Sequence, residues 1–390
     1  MDFAFGPEDE AFRREARAWL AENLTAHRAA DSAPGRRAWE RRLGADGWIG
    51  LGWDRTHGTY GNRAATLAGQ VVWAEEYARA QAPARLGHMG ENLLAPTLLA
   101  HGDANQRRRF LPAIARGEEL WCQGYSEPGA GSDLASLRTA AVRTGAGGGY
   151  RITGQKIWTS HAHEADWCFL LARTTEGSHR HHGLSFLLVP MDQPGRIEVR
   201  PIRQMSGDAD FNEVFFDGAD AHADHLVGGE GNGWRVAMDL LGRERGVSTL
   251  AQQIGFAAEL THVIRLALET GAAAEPVTRD RLVRQWAELR TMRWNALRTL
   301  GEARDAGAPS AAKLLWGRWH QRLGELAMQV RGRAATLGPY DWSPGRPYEL
   351  DAEQRQFLFS RADTIYGGSD EIQRTVIAER VLGLPKEPRP

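Results

Sequence analysis

The N-terminal part of the chain carries apolar residues at helical spacing. In 12–20 and in VVWAEEYARA (71–80), apolar positions recur three or four residues apart, with charged residues between them. The stretch 93–99 and the segment RRRFLPAIARGEEL repeat this spacing. Because residues three and four apart share one face of a helix, the pattern predicts a helical domain over 1–118.

The spacing of apolar positions then changes. Between 150 and 216 the apolar runs are short and rich in aromatic and β-branched residues, as in YRITGQKIW, WCFLLA, LSFLLVP, IEVRPI and EVFF. Turn residues separate the runs, notably in the glycine-rich stretch 145–149. Short runs of this kind are typical of antiparallel strands, and they predict a central β domain over 119–227.

Helical spacing returns after the glycine-rich segment GGEGNG (228–233). We interpret this segment as a linker, because it lacks the glycine spacing of a dinucleotide-binding loop and no βαβ unit surrounds it. Three further helical stretches follow, at 279–303, 311–337 and 351–382. They predict a third, helical domain over 228–390.

The composition adds limits on partners and location. A chain of 390 residues suits two or three domains, and its net charge of −1 gives no reason to expect nucleic acid or an anionic membrane as a partner. With only Cys122 and Cys168, no disulfide framework is expected. The acidic N-terminus lacks the features of a signal peptide, and no run is long enough to span a membrane, so we expect a cytoplasmic protein.

The first segment with candidate chemistry is CQGYSEPGAGSDLASL. Pro128, Gly129 and Gly131 force an irregular loop just before the predicted strands. The backbone N–H groups of such a loop, and the hydroxyls of Ser126 and Ser132, can approach a ligand closely. On these residues alone, an ordinary tight turn explains the segment equally well.

Two further segments stand out. GQKIWTS places a tryptophan beside two hydroxyl residues at a strand end, where it could cover an aromatic ring and offer it hydrogen bonds, although a core tryptophan is the commoner case. In IYGGSDEIQR, two glycines allow close backbone approach, and Ser369 can cap a helix with acidic residues in its first turn. A plain link between two helices is the alternative for this segment.

In this order, with a β region between helical flanks, SEPGAGSD, GQKIWTS and IYGGSDEIQR resemble the acyl-CoA dehydrogenase family. The resemblance covers nearly the whole chain, from PEDEAFRREARAWL to RVLGLP, and includes PTLLAHGDANQRRRFLPAIARGEE. It implies an α+β fold with an N-terminal helical domain, a central antiparallel β-barrel-like domain and a C-terminal four-helix bundle. It also implies FAD between the β domain and the bundle, usually in a tetramer whose subunits share each flavin site.

The resemblance assigns flavin contacts to residues of these motifs and to a Gln-x-x-Gly element that ends at Gly332. The matching positions are Gln123, Tyr125, Ser126 and Ser132 along the flavin; Trp158 and Ser160 at the isoalloxazine ring, with the Ser160 hydroxyl near N5; Gln329 towards a neighbouring subunit's FAD; and Ser369 and Glu371 as further contacts.

The residue after Tyr366 cannot supply the catalytic base, because it is a glycine. Desaturation of a thioester needs a base for the α proton and an acceptor for the β hydride. Many members of the family have Glu directly after the Tyr of the Ile-Tyr pair, where this chain has Gly367. Glu244, in LLGRERG, matches the family's alternative base position and continues the apolar stripe of Ala237 and Leu240. Burial there would raise the pKa of the carboxyl group, but a structural glutamate paired with an arginine fits the pattern equally well.

The resemblance implies the following reaction. The Gly367 N–H and a flavin ribityl hydroxyl polarise the thioester carbonyl, Glu244 removes the α proton, and the β hydride passes to N5 of FAD. An acyl-CoA or other acyl thioester is the implied substrate and an electron-transferring flavoprotein the implied electron acceptor. We expect a homotetramer or homodimer, with no nucleic-acid or membrane partner. Members with the base at this position often act on branched or long acyl chains.

One element of the family is missing. Many members carry Arg-x-x-Phe-Gly after the base helix, and its arginine binds the FAD pyrophosphate of the partner subunit; here the stretch reads ALETGAAAEPVTRDRLV, where Arg279 or Arg281 could substitute. The missing element leaves open an FAD-sharing subunit of a mixed tetramer. A flavin oxidase or monooxygenase on the same fold is a second alternative, because the sequence does not indicate whether oxygen reaches the flavin. The histidines scattered over 161–182 match no standard metal site, so we expect no metal.

Overall fold

The computed structural model describes residues 5–25, 27, 32–145, 148–243, 247–299, 307–338 and 349–386. They form two compact units. The larger unit contains the described residues of Phe5–Arg203 and Ala209–Arg245, and the smaller unit contains those of Gln204–Asp208 and Gly246–Pro390. The N-terminal helices and the sheet thus fold together, whereas the long C-terminal helices form a separate compact unit.

The larger unit has helices before and after its strands. They are α1 Pro7–Leu24, α2 Ala33–Ala45, α3 Leu67–Arg79, α4 Ala95–His101, α5 Ala104–Ala115 and α6 Gly233–Arg243. Within the predicted apolar stripe of α1, Ala16 and Leu20 are buried, and the buried Leu24 continues it. Asp103 begins α5 with a capping box, which pairs the orphan N–H groups of its first turn. The helical domain that apolar spacing predicted is therefore present.

Eight strands form one sheet in the larger unit. They are β1 Trp121–Gly124, β2 Ala140–Arg143, β3 Tyr150–Ser160, β4 Trp167–Arg173, β5 Leu184–Pro190, β6 Ile197–Ile202, β7 Phe211–Ala221 and β8 Leu226–Val227. Their order is β6-β7-β3-β2-β4-β5-β8, with β1 also paired to β4. Most neighbours are antiparallel, as predicted, but β1 and β2 both run parallel to β4, so the sheet is mixed.

Both central strands β4 and β5 are buried on their two faces, which explains why they read as continuous apolar runs and not as alternating ones. On one face Phe169 stacks on Phe186 with ring centroids 6.0 Å apart, in a core shared with the helices. On the other face Leu170 and Leu187 pack with Val214 of β7.

The smaller unit is helical. Its helices are α7 Val247–Glu269, α8 Pro276–Thr299, α9 Ala308–Arg331, α10 Ala352–Phe359 and α11 Asp370–Val376. Phe256, Trp319 and Leu323 lie in its core, where α7, α8 and α9 pack together. The stretch 351–382 is not one helix, because a 3₁₀ segment (Ser360–Thr364) and a turn with two glycines of positive φ separate α10 from α11. None of the described helices combines the length and apolar character needed to cross a membrane.

Candidate active site

A buried ion pair fixes the loop of the SEPGAGSD motif. Glu127, 8% exposed, accepts hydrogen bonds from the N–H of Arg138 (2.7 Å) and of Thr139 (2.8 Å). Its carboxylate also pairs with Lys156 at 2.9 Å, and Lys156 donates to the Tyr125 carbonyl at 3.0 Å. Burial opposes the charge of the carboxylate, but Lys156 and the hydrogen bonds outweigh it and lower the pKa of Glu127. The loop is therefore held at both ends, by residues that the sequence analysis did not select.

The loop exposes part of the residues predicted to contact flavin. Ser132 is exposed, and Gln123 and Ser126 are half-buried, so a ligand can reach all three side chains. A side chain added at Gly129 would meet only open space. The ring of Tyr125, in contrast, is buried edge-on against Phe169, with centroids 6.1 Å apart. The loop thus offers hydroxyl and amide groups around a core tyrosine.

A β-bulge displays Trp158. The register between β3 and β7 shifts between Lys156 and Thr159, and Trp158 takes a φ of +60°, which is uncommon outside glycine. Its indole is 56% exposed and meets Phe211 edge-on at 6.2 Å. Trp158 is therefore a surface residue with a flat, open face and not a core tryptophan.

The two motifs of the larger unit are brought together. The N–H of Ile157 donates to the carbonyl of Ser126 at 2.9 Å, which joins the bulge to the loop. Next to the indole, the buried hydroxyl of Thr159 has no hydrogen-bond partner among the described residues, and Ser160 is half-buried. An open indole beside unsatisfied and accessible hydroxyls fits a flat, hydrogen-bonding ring system such as flavin.

Two histidines lie near this edge of the sheet. His161 follows Ser160 with a φ of +51°, and its N–H donates to the Asp210 carbonyl at 2.7 Å. Burial lowers the pKa of His161, and burial with the nearby His161 and Arg85 lowers the pKa of His88 to about 4. His88 precedes the π-helical segment Met89–Leu94, and no pattern in the sequence indicated it. No cluster of three or more metal-binding side chains occurs in the part of the chain that the structure describes.

In the smaller unit, the third motif forms a tight turn. Gly367 and Gly368 have φ values of +62° and +85°, and the amide of Gln373 donates to both of their carbonyls, at 3.3 and 3.1 Å. The Tyr366 hydroxyl donates to Asp363 at 2.7 Å. Gly367 is exposed, and no group of the described residues accepts a hydrogen bond from its N–H. The turn is thus held from both sides, with one backbone donor free for a ligand.

Ser369 and Glu371 follow in the same turn. As predicted, Ser369 caps α11 by accepting from the N–H of Ile372 at 3.4 Å. Glu371 is exposed in the first turn of α11, and its own backbone N–H and the Ser369 hydroxyl lower its pKa. The exposed Glu371 carboxylate thus remains accessible to a ligand that reaches this turn, whereas the Ser369 hydroxyl already bonds Ile372 and Glu371.

Gln329 lies far along α9 from this turn. Lys313 of α9 is near Gly367, and 16 positions at ~1.5 Å each separate Gln329 from it, about 24 Å in total. The Gln329 amide donates to Thr278 at 3.2 Å and accepts from Arg281. The side chain of Arg279 makes no hydrogen bond with any residue that the structure describes. Of the two arginines that could substitute for the missing element, Arg281 is the one beside Gln329.

Glu244 lies outside the described residues, so its position stays a prediction. Helix α6 ends at Arg243, directly before it. The start of α6 lies against β5, because a Cβ added at Gly233 would be 2.4 Å from the main chain of Ser185. Ala237 and Leu240 are fully buried, which confirms the apolar stripe that Glu244 extends in sequence.

The family models for acyl-CoA dehydrogenases match the chain in order: the N-terminal domain at 6–118, the middle domain at 122–219 and the C-terminal domain at 231–382. The chain is 54% identical to acyl-CoA dehydrogenase IpdE1 of Mycobacterium tuberculosis, over 97% of its own length and 98% of that protein. Among solved structures, the Tcur3481-Tcur3483 steroid ACAD matches with a TM-score of 0.85 and 29% identity, covering 99% of this chain and all of that one. The ChsE4-ChsE5 complex from M. tuberculosis matches with a TM-score of 0.81 and 31% identity, covering 99% and 100%.

Proposed function

Because this chain belongs to the acyl-CoA dehydrogenase family, whose members are FAD-dependent oxidoreductases, we propose that it desaturates a bulky, ring-containing acyl-CoA between its α and β carbons. The turn at Gly367 carries this proposal. It offers a free backbone N–H where a thioester carbonyl can be bound, and it has no carboxylate at the position after Tyr366.

The residues of this chain would divide the work as follows. The Gly367 N–H donates to the thioester carbonyl and stabilises the negative charge that develops on its oxygen. Glu244 removes the α proton, which that charge stabilisation makes more acidic. Trp158 would cover the ring of bound FAD, and Ser160 would hydrogen-bond its edge. Bound FAD supplies the acceptor for the β hydride.

The proposed substrate class rests on the space at the turn. A Cβ added at Gly367 would have the Lys313 side chain, at 3.9 Å, as its nearest neighbour, so the position where many family members carry a glutamate is open around the Cβ. A ring at the α carbon needs open space at this position, and the proposed base, Glu244, comes from another part of the sequence. The 29% identical steroid ACAD among the solved relatives supports a polycyclic substrate.

We further propose that an electron-transferring flavoprotein reoxidises the flavin, and that the flavin site is completed by a second chain. The missing Arg-x-x-Phe-Gly element supports a shared site, as does the ChsE4-ChsE5 complex among the solved relatives. The partner is either a copy of this chain or a related one.

The visible spectrum of the purified chain, recorded before and during anaerobic addition of acyl-CoA thioesters, tests the function. We expect a yellow protein that a ring-containing thioester bleaches and a short straight-chain thioester does not. Bleaching only by straight chains would overturn the substrate class, and no bleaching by any thioester would overturn the dehydrogenation. Fast reoxidation by air and not by an electron-transferring flavoprotein would favour an oxidase.

Replacing Glu244 with Gln tests the base. The amide keeps the shape of the side chain but cannot accept the α proton, so we expect flavin reduction to slow by about 10²–10⁴-fold with FAD still bound. Glu269→Gln, at the exposed end of α7, is the matched control and should reduce at the wild-type rate. Normal reduction in Glu244→Gln would show that another group takes the proton.

A further inference from the structure

A chain of charged groups, centred on the buried side chains of His320 and Asp363, adjoins the Tyr366 turn. His320, in α9, is 6% exposed and packs on Phe256, with ring centroids 4.5 Å apart. Its Nδ1 lies 2.5 Å from a carboxylate oxygen of Asp363, and its Nε2 lies 2.9 Å from one of Glu259. Carboxylates only accept hydrogen bonds, so both ring nitrogens must donate and the ring is an imidazolium.

Asp363 connects this imidazolium to the turn. One of its carboxylate oxygens accepts a hydrogen bond from His320 Nδ1, and the other accepts from the Tyr366 hydroxyl at 2.7 Å. Its backbone carbonyl accepts from Lys313, whose Nζ lies 4.6 Å from the centroid of the Tyr366 ring. Asp363 therefore fixes Tyr366 by the hydroxyl and, through Lys313, by the face of the ring.

The position of Tyr366 sets the direction of the Gly367 N–H, because the two residues are consecutive. Gly367 follows it with a positive φ, and among the described residues the carbonyl of Gly367 is held by the amide of Gln373, at 3.3 Å. Two neighbouring glycines have wide conformational freedom, so the turn needs a fixed residue on each side. Tyr366 is that residue on the N-terminal side.

We propose that His320 is a positioning residue for catalysis: by holding Asp363, it fixes Tyr366 and thereby aims the Gly367 N–H at the thioester carbonyl. The inference rests on the proposed function of Gly367. An imidazolium suits the role because it presents two N–H donors at a fixed angle in one rigid ring. The first donor bonds Asp363, and the second bonds Glu259 of α7. The Glu259 carboxylate also accepts from Gln356 at 2.9 Å, so three helices fix the orientation of the ring.

A histidine with only a structural role and a positioning histidine give different results when Tyr366 is also changed. Loss of a structural residue lowers stability, and its effect on the rate does not depend on Tyr366. Loss of a positioning residue slows the reaction only while the Tyr366 hydroxyl is present to be held. The two are separated by a double-mutant cycle on the rate of flavin reduction, with His320→Gln and Tyr366→Phe as the single changes.

The measurement is the anaerobic rate of flavin reduction by the thioester that bleaches the wild-type protein, on the FAD-loaded full-length protein. In each single variant, flavin reduction should be about tenfold slower. The thioester concentration that gives the half-maximal rate should change little, because the orientation of the Gly367 N–H is lost but substrate binding is not. The double variant should be no slower than either single one. His262→Gln is the matched control, since His262 also pairs with a glutamate, Glu353, but on the exposed face of α7.

A second readout does not depend on activity. In the wild-type protein labelled with ¹⁵N-histidine, the His320 ring should show two protonated nitrogens at neutral pH, assigned by its loss in His320→Gln. The ring proton on Nδ1 should shift in Tyr366→Phe, because the two groups share Asp363. A neutral His320 ring would overturn the proposal.

The failures can be told apart. If the wild-type protein is bleached but both single variants reduce normally, or the double variant is slower by the product of the two effects, the positioning role is wrong and the proposed function stands. If no thioester bleaches the wild-type protein, the proposed function and this inference fall together.

Discussion

Lys156 and His320 are buried cations whose carboxylate partners lie next to predicted site loops. Buried ion pairs of this kind contribute little net stability compared with apolar residues of equal volume, but they fix one geometry. The pair of Lys156 and Glu127 fixes the SEPGAGSD loop. The pair of His320 and Asp363 fixes Tyr366. At the scale of single residues, these two buried cations therefore fix the loops that carry proposed ligand contacts.

The titration of His320 gives a prediction for stability. Burial opposes its charge, but Asp363 and Glu259 outweigh it and raise the pKa of His320 from 6.5 to about 9. Lys313, which donates to the Asp363 carbonyl, is a further charged group beside this network. Because the folded pKa is the higher one, this stabilisation is complete below pH 6.5 and is lost as the pH rises through about 9.

The effect can be measured by urea unfolding of the wild-type protein and of His320→Gln across this range. The shift of pKa corresponds to about 3 kcal/mol in the free energy of unfolding. We expect the stability difference between the two proteins to shrink by roughly this amount from about pH 6 to about pH 9.5. A difference that stays constant with pH would mean that His320 is not charged in the folded protein.

At the scale of elements, the β-bulge of β3 is what sequence reasoning could not supply. The motif GQKIWTS indicated a tryptophan near a strand end, but an alternating pattern cannot tell whether such a side chain faces the core or solvent. The bulge depends on pairing with β7, whose residues lie about 55 positions later and are invisible to a local pattern. The extra residue turns the Trp158 indole outwards.

Replacing Trp158 with Ala tests what the bulge is for. If the exposed indole covers the flavin ring, the dissociation constant for FAD should rise about tenfold, from lost aromatic contact alone. The measurement is titration of the FAD-free protein with FAD. Trp294→Ala, on α8 with 53% exposure against 56%, is the matched control and should leave FAD affinity unchanged. Equal affinity in both variants would place the flavin ring elsewhere.

The same limit separates what could and could not be predicted in the helices. Apolar spacing found α1, α8 and α9 because each helix carries its own period of buried residues. The glycine pair marked the turn before α11, because positive φ is a local property. The network of His320, Asp363 and Glu259 could not be found in this way, since its members come from three separate elements and nothing in their sequence spacing connects them.

At the scale of the whole molecule, Gln329 and Arg281 raise the question of assembly. They lie together on α9 and α8, about 24 Å along α9 from the Gly367 turn. At this distance they cannot contact the reacting atoms of a ligand that is bound at the turn. The family resemblance gives Gln329 a role at a neighbouring subunit's FAD. If Gln329 has that role, we expect Arg281, which bonds to it, to replace the missing pyrophosphate arginine. We expect Arg281→Ala, unlike Arg279→Ala, to lower the ratio of FAD to protein after purification.

Complementation between two inactive variants tests whether copies of this chain share their sites. Glu244→Gln lacks the base but keeps Arg281, and Arg281→Ala lacks the arginine but keeps Glu244. If each site takes its base from one subunit and its arginine from a neighbouring copy, refolding an equal mixture makes half of all pairs mixed, and each mixed pair has one intact site. Activity should then return to about one quarter of the wild-type level. Each variant refolded alone is the control. No recovery would mean either that the arginine binds FAD of its own subunit or that the neighbouring subunit is a different chain. In the second case, refolding together with that chain would be needed to restore the yellow colour.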